Sequence, residues 1–390
     1  MKRRDFLALA AAAPPVFGAP QPLPYPTLPG VYNTTMRVGV VAPLSGDYRE
    51  LGQQLVNGVQ AAIAELNDLR FATDPVLVFN RFDDHNSAAD AIVQAQFATN
   101  TPDMVTVIGH LGAAPTLAAL QTYYTAQMPL IVPTVTDDRI TAKGYRNVFR
   151  LPTKDSDEGA LLAAYVLGNG AKAPVVVTQQ ADYGPDVAQG FVHRASSLHV
   201  NAPSTTFPLV DPDYAKAADA VLAHTPAPDF IALAGNVGDM GPLLVALRAK
   251  GYTGRFVASQ GFFDALTIQK YAKEADGMII STSVPYYPLA PNTSRDVQNF
   301  QQRYGALTPV TAFGYAGVQL VQGAYRKAQA TNRLTIAQAL SSGGVYDTMT
   351  GAYTFGPYGD VVDPNCYFYS VHNGKFGYER QAHPSGFMLK

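Results

Sequence analysis

Residues 36–67, MRVGVVAPLSGDYRELGQQLVNGVQAAIAELN, read as one strand, one tight glycine loop and one amphipathic helix. Arg37 to Ala42 is a short apolar run of the kind that forms a strand covered on both faces, and Pro43 to Gly46 breaks it with turn-forming residues. Beyond the break, Leu55, Val59, Ala62, Ile63 and Leu66 recur at helical spacing, which predicts a helix with one buried stripe. This order opens an α/β domain. In open α/β sheets ligands bind outside the carboxyl ends of the strands, so the loop from Leu44 to Leu51 is the first expected ligand contact.

The same order repeats outward from this stretch. Strand-like runs stand at 76–82, 104–108 and 130–132, separated by helix-compatible segments at 88–99 and 116–126. A second series follows at 175–178, 230–234, 256–258 and 278–281, again with helical stretches between, which predicts parallel sheets with helices on both faces. Phe149 to Thr153 is an expected first crossing between two lobes, since Pro152 favours extended backbone, and Ser281 to Tyr287 is a second. Near the end, 368–371, Asn373-Gly374 and 376–378 read as a hairpin.

The chain has 390 residues, enough for two domains that each bury a core. Its 47% hydrophobic content is that of a globular protein, while only 15% of residues are charged, so Ser, Thr, Asn, Gln, Pro and Gly cover much of the surface. A net charge of -2, with no Lys/Arg cluster after residue 4, argues against a nucleic-acid partner. Residues 1–19 carry Lys2, Arg3 and Arg4 ahead of an apolar segment too short to span a bilayer, the pattern of an export signal. The run from Arg3 to Leu7 is similar to a twin-arginine signal, with a general secretory signal as the alternative. The mature chain is therefore expected in the periplasm, soluble and without membrane insertion. Residues 20–35, with prolines at 20, 22, 24, 26 and 29, form a stiff extended tether. Cys366 is the sole cysteine, which excludes an intramolecular disulfide and reads as a buried structural thiol within an aromatic run.

Landmarks in this order make a resemblance specific: VGVVAPLSG at 38–46, FDDHNSAADA at 82–91, IGHLGAAPT at 108–116 and VPTVTDDRITAKGYRNVFRL at 132–151. They continue with ADYGPDVAQGF at 181–191, GDMGPLLVALRAKGY at 238–252, ADGMIIST at 275–282 and GAYTFGPYGD at 351–360. The chain resembles the leucine/isoleucine/valine-binding family of periplasmic solute-binding proteins, which serve ABC importers. The resemblance implies two Rossmann-like α/β lobes with parallel-type sheets, joined by three hinge crossovers near 150–153, 281–286 and 350–353, with a ligand cleft between them. The lobes are then expected at 36–151 plus 285–350 and at 152–284 plus 351–390. It also implies a monomer that captures a small solute without cofactor or metal and hands it to ABC permease and ATPase subunits.

Carried over residue by residue, the resemblance places Gly112, Ala113 and Ala114 on the first-lobe binding loop, with Thr134 and Thr136 on the next. Ala113 stands where amino-acid binders carry a serine for the ligand carboxylate; Thr136 matches the family threonine, and Thr134 offers a second hydroxyl. Tyr183 matches a second-lobe tyrosine, Asn236 replaces a frequent tyrosine, and Gln260 replaces the glutamate that pairs with the ligand's α-ammonium. A carboxylate facing a desolvated ammonium offsets the cost of burying an unpaired charge; glutamine supplies hydrogen bonds but no charge. The departures at Ala113 and Gln260 therefore predict a ligand without an α-ammonium: an amide, an organic acid or a small aromatic or hydroxylated compound. On the first loop Arg49 is equally a carboxylate partner or a solvated side chain, Tyr48 is a candidate apolar wall with Phe262 and Phe263, and Leu51 stands where relatives place an aromatic. The family's disulfide positions correspond to Asn86 and Gly112, so that bond is absent.

Competing chemistry is poorly supported. No G-x-S-x-G elbow occurs, and the histidines at 85, 110, 193, 199, 224, 372 and 383 show no H-E-x-x-H or comparable ligand spacing. Gly168-Asn169-Gly170 follows a helical stretch instead of a strand, which removes a dinucleotide loop. Asp83-Asp84 reads as a turn or loop anchor and His110 as structural. An amino-acid binding protein and a periplasmic sensor for a signalling partner remain the alternatives to the ligand and role expected above.

Overall fold

The structure, a computed structural model, describes residues 34–382 apart from 182, 284 and 290–294. The expected export signal and all but the end of the proline-rich tether lie outside the described residues.

The opening stretch folds as its pattern dictates. Strand β1 (Thr35–Ala42) is covered on both faces, and after a single 3-10 turn helix α1 (Arg49–Asp68) buries Leu55, Val56, Val59, Ala62 and Ile63 against the first core. The first sheet is completed by β2 (Val76–Asp83), β3 (Met104–Gly109), β4 (Leu130–Val132) and β5 (Val148–Arg150), joined by α2 (Ala88–Asn100), α3 (Ala113–Thr125) and the short α4 (Arg139–Ala142). All pairings are parallel, in the order β2-β1-β3-β4-β5.

Helix α5 (Asp155–Gly168) then begins a second alternation: β6 (Pro174–Gln179), α6 (Pro185–Ser197), β7 (Ser204–Phe207), α7 (Tyr214–Leu222), β8 (Phe230–Ala234), α8 (Val237–Ala249), β9 (Arg255–Ala258), α9 (Ala265–Tyr271) and β10 (Ile279–Thr282). Helices α10 (Arg295–Tyr304), α11 (Pro309–Ala328) and α12 (Arg333–Ser341) return to the first core, followed by the small pair β11 (Tyr346–Thr348) and β12 (Gly351–Tyr353). The chain ends in the antiparallel hairpin β13 (Cys366–His372) and β14 (Lys375–Ala382), whose turn residues Asn373 and Gly374 take φ of 52° and 69°. That hairpin extends the second sheet, of order β14-β13-β10-β9-β8-β6-β7. Parallel pairing dominates both sheets, as the alternation predicts.

The cores show where the chain changes lobe. Leu151 belongs to the first core and Leu161 to the second half; Tyr286 packs on the second core while Tyr287 lies in the first. The third passage differs from the expected 350–353. Tyr353 and Phe355 are still in the first core and Val361 packs against it, so the chain passes over between Val361 and Cys366. Phe355 stacks edge-on against Phe149 at 5.2 Å, which keeps this segment with the first sheet.

Candidate ligand cleft

In each sheet the strand order reverses at one place: β1 lies between β2 and β3, and β6 lies between β7 and β8. Loops leaving the carboxyl ends of the strands diverge there and open a crevice. Tyr48, Arg49 and Leu51 follow β1; Gly112, Ala113 and Ala114 follow β3; Thr134 and Thr136 follow β4. On the other sheet Tyr183 follows β6, Asn236 follows β8 and Gln260 follows β9. All eleven residues thus stand at carboxyl ends, and they divide between the two sheets.

On the first side, Asp83 Oδ1 accepts the Leu44 N–H at 2.8 Å and fixes the loop after β1. Tyr48 is half-buried, Arg49 is exposed, and Leu51 packs against the first core. Gly112 has φ −105°, which any residue adopts, so it is space that selects glycine. A Cβ there would stand 2.3 Å from Asn86 Oδ1, and the two positions where relatives carry a disulfide are therefore neighbours. The same two loops are tied by a fully buried pair in place of the bond. His110 Nδ1 lies 2.6 Å from Asp84 Oδ2, and its Nε2 lies 3.1 Å from the Tyr123 hydroxyl. Asp84 is the loop anchor that the sequence predicts, and His110 is structural.

The Thr134 hydroxyl donates to the Leu111 carbonyl at 3.1 Å and joins the loop after β4 to the loop after β3. Arg150, fully buried at the end of β5, fixes the rest of that loop: its Nη1 donates to the carbonyls of Thr136 and Asp137 at 2.7 and 2.6 Å. Asp360 balances the charge, accepting from Arg150 Nε at 2.9 Å and Nη2 at 2.8 Å. Removing Asp360 would strand the buried charge of Arg150.

The second side is organised by α5. Asp155 and Glu158 are one turn apart on one helix face, and both are buried. Asp155 reaches back to the first lobe: its N–H donates to the Thr136 carbonyl at 3.0 Å. Glu158 reaches into the second. Its Oε1 accepts the Gln260 N–H at 2.7 Å and the Ser281 hydroxyl at 2.5 Å, and its Oε2 accepts the Tyr183 hydroxyl at 3.1 Å. Gln260 Oε1 accepts from the Ser283 hydroxyl at 2.9 Å. Asn236 is close by, since a Cβ on Gly261 would stand 2.7 Å from its Oδ1. Tyr183, Gln260 and Asn236 are thus brought together, and Thr136 is linked to them through Asp155 and Glu158.

Burial pushes the Glu158 carboxyl up to about 7 against the three hydrogen bonds that favour its charge, and it holds Asp155 well above the usual carboxylate range. Asp157 is raised to about 6, also by burial, with Lys154 opposing. Asp186, at the start of α6, is raised by burial and then by Asp138 and Asp137 of the first-lobe loop, so carboxylates of the two lobes face one another. No group of metal-ligating side chains occurs among the described residues.

Phe262 and Phe263 take the packing role that is the more frequent one for such aromatics: both are buried in the second core, where Phe263 lies 4.5 Å from the rings of both Tyr369 and Phe376. Gly112 packs closely against Asn86. Arg150, Asp155 and Glu158 are site residues that the sequence reading passed over. A signal for two of them exists, because Asp155 and Glu158 head an otherwise apolar helix, DSDEGALLAAYVLG.

The chain matches the sequence profile of the periplasmic binding protein family over residues 35–375. It belongs to that family. Among curated relatives, the Leu/Ile/Val-binding protein of Citrobacter freundii is 26% identical over 337 residues, covering 84% of this chain and 88% of the relative. Among solved structures, the ABC transporter substrate-binding protein from Desulfitobacterium hafniense in complex with Leu has a TM-score of 0.72 at 23% identity, covering 88% of this chain and 100% of that one. An R. palustris solute-binding protein in complex with benzoate gives 0.67 at 19% identity, covering 90% and 97%. These likenesses establish a type I periplasmic binding fold of the leucine/isoleucine/valine-binding kind, a family of solute binders that serve ABC importers. No helix among the described residues is long and apolar enough to cross a membrane.

Proposed function

We propose that this chain captures a small organic solute by closing its lobes and delivers it to ABC permease and ATPase subunits, and that the solute lacks an α-ammonium. The observation that carries the ligand class is the chemistry at the two ends of the cleft. Ala113 opens α3 without a hydroxyl, and Gln260 presents an amide whose oxygen already accepts from Ser283. An amide, an organic acid or a small aromatic or hydroxylated compound fits such a site, and structural neighbours with the same fold include one in complex with benzoate. Export by the segment 1–19 and action as a monomer belong to the same proposal. So do hinges at the three passages between lobes and ligand contacts at Tyr48, Arg49, Leu51, Gly112, Ala113, Ala114, Thr134, Thr136, Tyr183, Asn236 and Gln260.

One observation favours a second reading, an amino-acid ligand. Asp155 Oδ1 is buried without a hydrogen-bond partner, and a donor on the ligand would satisfy it. Thermal-shift screening against amino acids, amides, organic acids and aromatic acids separates the two. Stabilisation by compounds outside the standard amino acids is expected, whereas a large shift with leucine or valine alone overturns the ligand class. Calorimetry on Gln260→Glu is expected to show gained amino-acid binding.

A further inference from the structure

Glu158 is 1% exposed and meets both Tyr183 and Gln260. The three donors on it come from three separate segments: the loop after β6, the loop after β9, and β10 just ahead of the second passage between lobes. Tyr183 and Gln260 thus meet on the two oxygens of one carboxylate.

We propose that Glu158 is the positioning residue for the second-lobe half of the cleft, a single buried carboxylate that sets the places of Tyr183 and Gln260 and joins them to Ser281 at the hinge. The inference rests on the reading of Tyr183 and Gln260 as ligand contacts.

The frame depends on the ionised form, which accepts from all three donors; a protonated carboxyl loses one acceptor site and gains a donor. The titratable groups around it are Asp155 on its own helix, Tyr183 ahead of α6 and Cys366 on β13. Burial raises each of these; it raises Glu158 to about 7 and Asp157, the residue before it, to about 6. The Gln260 amide should therefore report the charge on Glu158.

The test follows the assigned Gln260 amide resonance of the full chain from pH 5 to 9, in the parent protein, in Glu158→Gln and in Glu158→Ala. A single transition near neutral pH is expected in the parent and none in Glu158→Gln, which keeps an oxygen for the Gln260 N–H and does not titrate. In Glu158→Ala the Gln260 amide should lose hydrogen-exchange protection at least tenfold while the Asn67 amide in the first lobe keeps its own. A pH-independent Gln260 amide in the parent, or unchanged protection in Glu158→Ala, overturns the proposal. Calorimetry with benzoate and with leucine at pH 6 and pH 8 reads the ligand side separately. A probe bound by the parent should bind with a pH dependence that Glu158→Gln removes, and pH dependence persisting in that variant overturns the proposal. If the amide behaves as expected and neither probe nor any screened solute binds, the functional reading fails while the positioning role stands.

Discussion

A buried carboxylate depends on the donors around it for its charge, and at Glu158 three donors do not fully offset the cost of burial. The sign follows from the rise from 4.5 to about 7: the folded state holds this proton more tightly than the unfolded chain. Stability is greatest below the lower value and falls as pH climbs to the upper one. With each pKa unit worth about 1.4 kcal/mol, the loss is on the order of 3 kcal/mol. Glu158→Gln should flatten the fall of melting temperature between about pH 5 and 7, and an unchanged slope would show that another group is responsible. None of this was readable in the sequence. Glu158 stands out there only as a charge ahead of an apolar run, because its partners lie at 183, 260 and 281 and meet it only in the fold. Thr136 lies within a quoted landmark, 132–151, whereas Asp155 and Glu158, which lead from it to Gln260, carry no motif of their own.

At the scale of elements, α5 and α6 come close enough to share the Glu158 frame because each carries a glycine at the crossing. A Cβ on Gly159 would stand 1.9 Å from the Val187 carbonyl oxygen, and one on Gly190 would stand 1.9 Å from that of Ser156. Backbone cannot yield as a side-chain tip does, so Gly159→Ala should cost about 1–3 kcal/mol or more through overpacking. Gly168→Ala, in the same helix with nothing within 4 Å, is the control and should be neutral or stabilising. Paired melting curves by circular dichroism check both; equal melting temperatures would remove the glycine notch from the account. The long apolar strands and the helices after β2 and β3 were visible in the sequence because burial on both faces leaves continuous apolar runs. Strands β5 and β7 were not. Three residues, VFR, are too few for a period and include the buried Arg150, while STTF is a polar edge strand paired only to β6.

For the whole molecule, the proposed closure would bring like charges together. Asp186 already faces Asp138 and Asp137 across the lobes, and Arg139, which pairs with Asp137, screens them only in part. Asp186→Asn should tighten binding of whichever solute the screen identifies, and the gap to the parent should narrow as salt is raised. Calorimetry at low and high ionic strength reads both; weaker binding in the variant would show that Asp186 grips the ligand instead. The three passages between lobes have a further consequence, for the order in which the molecule can be built. The first sheet ends at Arg150, but α11, which covers it, begins only at Pro309, and the second sheet waits for its last strand until Ala382. At roughly 5–20 residues per second, a ribosome needs on the order of ten seconds to travel from one to the other. For that interval neither lobe can close its core, and the nascent chain carries a finished but uncovered sheet beside an unfinished one.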